Sequence, residues 1–225
     1  MGLITNAAII VSSTTLVGYC ALRHVKTIVK EIPIPTSSIL FHHFQTAKLD
    51  SPERWHSADA FEAKLPPNLP LQQDSSDVNT YVKLFYSSMV FKAEKTIMRT
   101  VFKQPEPDLS NFDVGHTVYV WKVVDRNDQE VLMAWQVGSV KGSTWFCIPK
   151  NKGTILFGSY IQTPQTHKDD NHLTKEANFS FTQKLVSVFS AVIWPIVLSF
   201  HETYSVILLY GVSRKFSKHI QALQT

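Results

Sequence analysis

The pattern of apolar positions predicts helices in the middle of the chain. In the stretch SSDVNTYVKLFYSSMVFKAEKTIMRTVF, at 75–102, apolar residues recur at steps of three and four from Val78 onward. This spacing is typical of an amphipathic helix, which Ser76 or Asp77 can cap at its start. The two serines at 87–88 predict that the helix bends there or that a second helix begins.

The stretch that follows has a different pattern of apolar residues. HTVYVWKVVDRNDQEVLMAWQVGSVKGSTWFCIPKNKGTILFGSYIQT, at 116–163, contains four runs rich in β-branched and aromatic residues, separated by DRNDQ, GSVKG and KNKG. Each separator is a good hairpin turn, so four sequential antiparallel strands are predicted. An earlier strand is predicted at 58–65, where apolar and polar residues alternate before a double proline.

Both ends of the chain carry apolar segments. The run at 7–22 is uncharged and basic residues follow it, which predicts an N-terminal membrane-anchor helix with a basic flank over 1–30. The positive-inside rule then places the main domain of a single-pass membrane protein on the cytoplasmic side. The segment 185–210 is long enough to span, but Pro195 and the polar residues around His201 favour an amphipathic helix over a second span.

These elements predict one folded domain behind a connector. The proline-bearing segment 31–57 has few periodic apolar residues and is predicted to connect the anchor to a ligand-binding domain at 58–225. A long helix from Phe179 to about Leu223 closes the chain. Strand, helices, a four-stranded meander and a final helix indicate an α+β fold, in which a curved antiparallel sheet packs around the long C-terminal helix.

Composition narrows the functional classes. The 225 residues, 44% of them hydrophobic, suffice for one sizeable core. The formal net charge of +4 is spread along the chain, so nucleic acid is not an expected partner. Cys20 and Cys147 lie far apart and form no disulfide framework or zinc-type spacing. Phosphate loops, hydrolase elbows and metalloprotease motifs are absent from the sequence, so no cofactor and no metal is expected.

Three motifs carry a resemblance to a known superfamily. They are LFYSSMVFKAEKTIM in the predicted helices, FGSYI in the last strand, and FHETYSVILLYGVSR in the closing helix. With the order of the elements, they make the chain from Ala58 to Ala222 similar to the START-like, or helix-grip, superfamily of polyketide cyclases and lipid-binding proteins, and more narrowly to uncharacterised membrane-anchored members. The resemblance implies an internal cavity between the sheet and the final helix.

Polar residues inside apolar elements are the candidates for chemistry. Glu94 lies near the buried edge of its predicted helix, and His201 and Tyr204 lie three apart on the closing helix, where they can face the same way. In a pocket, these three could move protons for a bound ligand. The alternatives are a surface ion pair of Glu94 with Lys95 or Arg99, and a structural role for His201.

Aromatic residues on the predicted strands are the candidates for ligand contacts. Trp121, Trp135 and Trp145 fall on successive strands, and Tyr160 falls on the last one. In a cavity lined by the sheet these rings would form an apolar floor. The alternative is that they belong to the core.

Two functions are consistent with this sequence, and a third is weaker. In the first, an enzyme holds a hydrophobic small molecule and catalyses a cofactor-free cyclisation or isomerisation in metabolite biosynthesis. In the second, a non-catalytic protein binds or transfers a lipid or sterol at a membrane, which it contacts through the N-terminal helix. The third is a membrane-embedded accessory subunit with two spans. A titratable residue facing the cavity would favour the enzyme.

Overall fold

The computed structural model describes residues 24–67, 69, 71, 75–89, 91–100, 103, 105–137, 139–164 and 194–223. The predicted membrane anchor at 7–22 and the first part of the 185–210 segment lie outside these residues. Within the described part of the chain, no helix combines the length and the apolar character that crossing a membrane requires.

One antiparallel sheet organises the described residues. Its strands are β1 Val29–Glu31, β2 Arg54–Lys64, β3 Thr117–Val118, β4 Trp121–Arg126, β5 Glu130–Val137, β6 Val140–Cys147 and β7 Thr154–Pro164. They lie in the order β1-β2-β7-β6-β5-β4-β3, and every neighbouring pair is antiparallel. Strands β3 to β7 therefore form a meander of consecutive strands, which β2 joins through β7.

Besides the helical residues 24–28, the described part contains the helices α1 Ile39–Asp50, α2 Ser75–Tyr86, α3 Phe91–Thr100 and α4 Trp194–Ala222. The predicted α+β class and the C-terminal helix are confirmed. The predicted break at 87–88 is also confirmed, because α2 ends just before it and the Ser88 hydroxyl caps α3 by accepting a hydrogen bond from the Phe91 N–H at 3.1 Å.

Two predictions need correction. The segment 31–57 is not a simple connector: it contains α1, whose start is capped by the Ser38 hydroxyl, and the beginning of β2. The first predicted strand of the meander is divided into β3 and β4 by a turn at Tyr119, which adopts a left-handed backbone with φ of 56°. The sequence gives no signal for either feature. The apolar residues of α1 are spread around the helix, so no amphipathic pattern indicates it. An aromatic residue rarely adopts positive φ, so a turn at Tyr119 is not expected from the sequence.

The sheet buries both of its faces. On the first, which we call the α4 face, Phe61, Phe146 and Phe157 pack with α2, α3 and α4 in one apolar cluster. On the second, the α1 face, Trp145 and Tyr160 pack with Leu40 and other residues of α1 in a smaller cluster. Successive residues of a strand point to opposite faces, so parity along each strand decides which cluster a side chain joins.

Aromatic rings fill much of the α4 face. The Phe85 ring of α2 lies 4.7 Å from the Phe146 ring and 5.3 Å from the Phe157 ring, measured between centroids. Tyr81 contacts Phe146 and also Phe216 of α4. Offset and edge-on pairs of this kind stabilise a core beyond the area that they bury, so this cluster fixes α2 and α4 on the sheet.

Helix α1 is fastened to the other face by polar contacts. The Glu130 carboxylate on β5 accepts a hydrogen bond from the Ile39 N–H at 3.0 Å and another from the Trp145 indole N–H at 2.7 Å. A carboxylate at the start of a helix also interacts favourably with the helix dipole. One turn further along, His43 Nε2 lies 3.0 Å from the Ser143 hydroxyl on β6. Both contacts orient α1 over the sheet.

Candidate functional site

The structure describes the predicted catalytic residues unequally. The side chains of Glu94 and His201 lie outside its described part, and their roles stay predictions. Tyr204 on α4 is half-buried and packs against the α4-face cluster. Lys95 and Arg99, the alternative partners of Glu94, both form ion pairs with Glu106, and the hydrogen bond from Lys95 lowers the pKa of the Glu106 carboxyl.

The four predicted aromatic ligand contacts do not come together. Trp121 and Trp135 are paired across β4 and β5 and both belong to the α4 face. Trp145 and Tyr160 belong to the α1 face. The sequence correctly placed all four rings on strands, but the faces depend on the register between strands, which the turns alone did not provide.

The Trp135 ring lies directly against the backbone of β6. A Cβ atom added at Gly142 would be 2.2 Å from Cζ2 of this ring, a distance that no side chain tolerates. Glycine at this position therefore lets the half-buried indole lie flat on the sheet. Together with Trp121, it forms an apolar surface at one end of the α4 face.

Beside this surface, polar side chains cross three neighbouring strands in one row. Asp59 on β2, Ser159 on β7 and Thr144 on β6 are successive cross-strand partners. The Ser159 hydroxyl donates a hydrogen bond to Asp59 Oδ1 at 2.9 Å. Ser159 and Thr144 are buried and Asp59 is half-buried. We call these three residues the polar row.

The polar row lies beside the apolar centre of the α4 face. On one side of it lies the row of Phe61, Phe157 and Phe146. On the other side lies a row that begins with Ser57 on β2 and ends in Gly142 and Trp135. Buried polar groups are costly in apolar surroundings unless they are paired. A carboxylate held by a hydroxyl in such a place can accept or donate a proton, and the hydroxyls can orient a polar group of a ligand.

Asp59 was not among the predicted site residues, although the sequence contains a signal for it. Within HSADAFEAK, Asp59 has the same parity as Phe61 and Ala63, both of which the structure buries on the α4 face. A carboxylate at an inward position of an alternating strand is unusual. The alternation along β2 therefore marks Asp59 as a candidate, whereas the helical spacing that indicated Glu94, His201 and Tyr204 does not apply to a strand.

A polar group without a partner lies on the helix side of the same core. Among the described residues, the buried Ser205 hydroxyl of α4 has no hydrogen-bond partner. By contrast, the Ser213 hydroxyl on the same helix donates to the Tyr210 carbonyl at 2.9 Å. An unsatisfied buried hydroxyl costs about 1 to 3 kcal/mol.

We therefore expect Ser205→Ala to leave the stability of the protein unchanged or to raise it by about 1 kcal/mol, because the substitution removes an unpaired polar atom. Ser213→Ala is the matched control, and it should lower the stability because it removes a hydrogen bond that is made. Urea denaturation followed by circular dichroism measures both changes. A clear loss of stability in Ser205→Ala alone would show that its hydroxyl has a partner.

The titratable groups of the α1 face have structural partners. His56 donates from Nε2 to the Ser51 carbonyl at 2.8 Å, and its Nδ1 lies 3.0 Å from the Tyr160 hydroxyl. Burial raises the pKa of Tyr160 to about 12 and lowers the pKa of His43. Burial also raises the pKa of the Cys147 thiol, which keeps it protonated and poorly nucleophilic. Among the described residues, no group of three or more His, Cys, Asp or Glu side chains could hold a metal ion.

Comparisons with known proteins add little to this picture. No family model matches the chain, and no curated protein matches it. Among solved structures, the chain is similar to CalU16 from Micromonospora echinospora, with 10% sequence identity and a TM-score of 0.24, over 76% of this chain and 96% of that one. A similarity this weak carries no argument about fold or function.

Proposed function

We propose that the protein binds a largely apolar small molecule over the polar row, between the sheet and α4. In this proposal, Asp59 moves a proton to or from the ligand in a cofactor-free isomerisation or cyclisation. Ser159 holds the carboxylate, and the Thr144 hydroxyl orients a carbonyl or hydroxyl group of the ligand. Trp135 supplies an apolar contact for the rest of the molecule.

The observation that supports this proposal is the carboxylate on the α4 face. Asp59 lies beside the aromatic row of Phe61, Phe157 and Phe146, and its carboxylate is bonded to a buried hydroxyl. A carrier for a lipid or sterol needs apolar walls but no titratable group in its binding site, whereas proton transfer needs one within reach of the reacting atom. A non-catalytic carrier is therefore the second candidate function, and the experiment below distinguishes a carrier from an enzyme.

The second part of the proposal concerns the apolar N-terminal segment and its role as a membrane anchor. We propose that the uncharged run at 7–22 anchors the protein in a membrane and that the basic residues after it keep the ligand-binding fold on the cytoplasmic side. Carbonate extraction of membranes from cells that make the full chain, compared with a chain lacking 1–22, measures this. Equal extraction of both chains would contradict an anchor.

The ligand-binding proposal is tested by native mass spectrometry of the detergent-extracted full chain, which identifies a small molecule that co-purifies. The identified molecule is then incubated with the wild type, Asp59→Asn and Glu62→Gln. Glu62 is the matched control, since it lies on the same strand with its side chain on the opposite face. We expect Asp59→Asn to slow conversion of the molecule by about 100-fold or more, with unchanged thermal stability, and Glu62→Gln to behave as the wild type.

Two other outcomes have clear meanings. If the wild type holds the molecule without converting it, and Asp59→Asn holds it equally well, the protein is a carrier. If no variant of the polar row changes either retention or conversion, the ligand does not bind over this row and the proposed site is wrong.

A further inference from the structure

Strand β1 covers only part of the outer edge of β2, the edge that faces away from β7. It pairs with Phe61, Glu62 and Ala63, and the Ile32 N–H donates to the Ala60 carbonyl at 2.9 Å. The chain then leaves the edge through Pro33, which has no N–H to donate, and turns into α1. The first half of β2 continues beyond this point.

The open part of the edge carries backbone groups that point outward. Because the Ala60 carbonyl points towards β1, the period of two places the backbone N–H and C=O groups of Ala58 and His56 on the same side. In the part of the chain that the structure describes, no backbone group bonds to them there. Arg54 differs, since its N–H donates to the Ser51 carbonyl at 3.1 Å. An open edge of this kind is a template for another strand.

An apolar groove lies beside these open groups. Its volume is about 560 Å³, and its lining includes Ile34 before α1 and Phe41 and Phe44 on α1. The charged residues of its lining are both acids, Glu31 and Asp59. Glu31 is exposed, and its pairing with Phe61 places its side chain on the α4 face, as for the Asp59 carboxylate. The edge therefore offers apolar contacts on the groove side and a negative charge on the opposite side.

From this arrangement we infer that the open edge of β2 binds an extended peptide segment of another protein, which adds a strand to the sheet. The backbone of the peptide pairs with Ala58 and His56. Its alternate side chains are apolar and fill the groove, and a lysine or arginine faces Glu31. Unpaired N–H and C=O groups in strand geometry favour a peptide over a lipid. Only a peptide backbone offers C=O acceptors and N–H donors with the same spacing as those of a strand.

The probe is a fluorescein-labelled peptide of alternating valine and lysine, about six residues long to match the open half of β2. Fluorescence anisotropy measures its binding to the full chain. Ala58→Pro removes the outward N–H of residue 58, a change that edge strands tolerate. Ala58→Val is the matched control, because it keeps that N–H. We expect Ala58→Pro to bind the peptide at least about tenfold more weakly than Ala58→Val, with the same thermal midpoint.

A second measurement needs no change in the protein. The same peptide with N-methylated amides at alternate positions cannot pair along the edge, and it should bind the wild type at least about tenfold more weakly than the parent peptide. A peptide with glutamate in place of lysine should also bind more weakly, and Glu31→Lys should reverse that order. These results would support strand addition together with the charge contact to Glu31.

Three results would overturn the inference. The first is equal binding of the N-methylated and parent peptides, because the backbone would then play no part. The second is no binding at millimolar peptide. The third is a change in the thermal midpoint or the oligomeric state of Ala58→Pro relative to Ala58→Val without peptide, because another segment of this chain or a second copy would then already occupy the edge.

Discussion

Replacing Phe146 by alanine is expected to lower the free energy of unfolding by about 3 to 5 kcal/mol. Phe146 is fully buried at the centre of the α4 face. Its ring lies 4.7 Å from Phe85, 5.5 Å from Tyr81 and 5.8 Å from Phe157, measured between centroids. Its removal leaves a cavity between α2 and the sheet that rigid aromatic neighbours cannot fill.

Urea denaturation, followed by tryptophan fluorescence and by circular dichroism, measures this loss. Leu49→Ala is the control, because Leu49 is 80% exposed and its truncation should change the stability by less than about 0.5 kcal/mol. A loss below about 1 kcal/mol in Phe146→Ala would mean that the ring is not packed between α2 and the sheet, and would invalidate the register of β6.

Replacing Gly158 by alanine is expected to lower the free energy of unfolding by about 1 to 3 kcal/mol through overpacking. The added Cβ would lie 2.7 Å from Leu40 Cδ2, 2.9 Å from Trp145 Cε3 and 2.9 Å from the Asp59 carbonyl oxygen. Leu40 belongs to α1, and the carbonyl belongs to the backbone of β2. The substitution must therefore displace α1 or separate β2 from β7.

The matched control is Gly211→Ala on α4, where an added Cβ meets no atom within 4 Å. Alanine in a helix is favoured over glycine by about 1 kcal/mol, so this variant should be as stable as the wild type or more stable. Thermal and urea unfolding of both variants provide the comparison. A stable Gly158→Ala protein would show that α1 does not pack on β7 at this position.

The periodicity of the sequence was sufficient to predict much of the fold. The helices of 75–102, their break at 87–88, and the strands of the meander each have a regular pattern with turn residues between them, and the α+β class follows from their order. Helix α1 has no such pattern. Its position depends on Glu130 and Trp145, which lie far away along the chain, and local periodicity contains no information on such contacts.

The candidate site was harder to predict than the fold. Trp121, Trp135 and Tyr204 belong to the predicted face, but Trp145 and Tyr160 belong to the opposite one. A shift of one residue in register moves every side chain of a strand to the other face. The sequence therefore placed the aromatic residues on strands but could not group them by face. Asp59 was not predicted, because its parity becomes meaningful only once β2 is paired with β7.

The polar row joins two parts of the chain that lie far apart in sequence. Ser159 and Thr144 lie in the meander, whose hairpins close short loops, whereas the hydrogen bond between Asp59 and Ser159 spans 100 positions of sequence. Closing long loops costs more entropy and slows folding, so β2 should dock on a meander that has already assembled. The carboxylate then reaches the hydroxyls only in this late step. A nascent chain contains Asp59 long before Ser159 is synthesised, but the polar row does not exist until β7 pairs with β2.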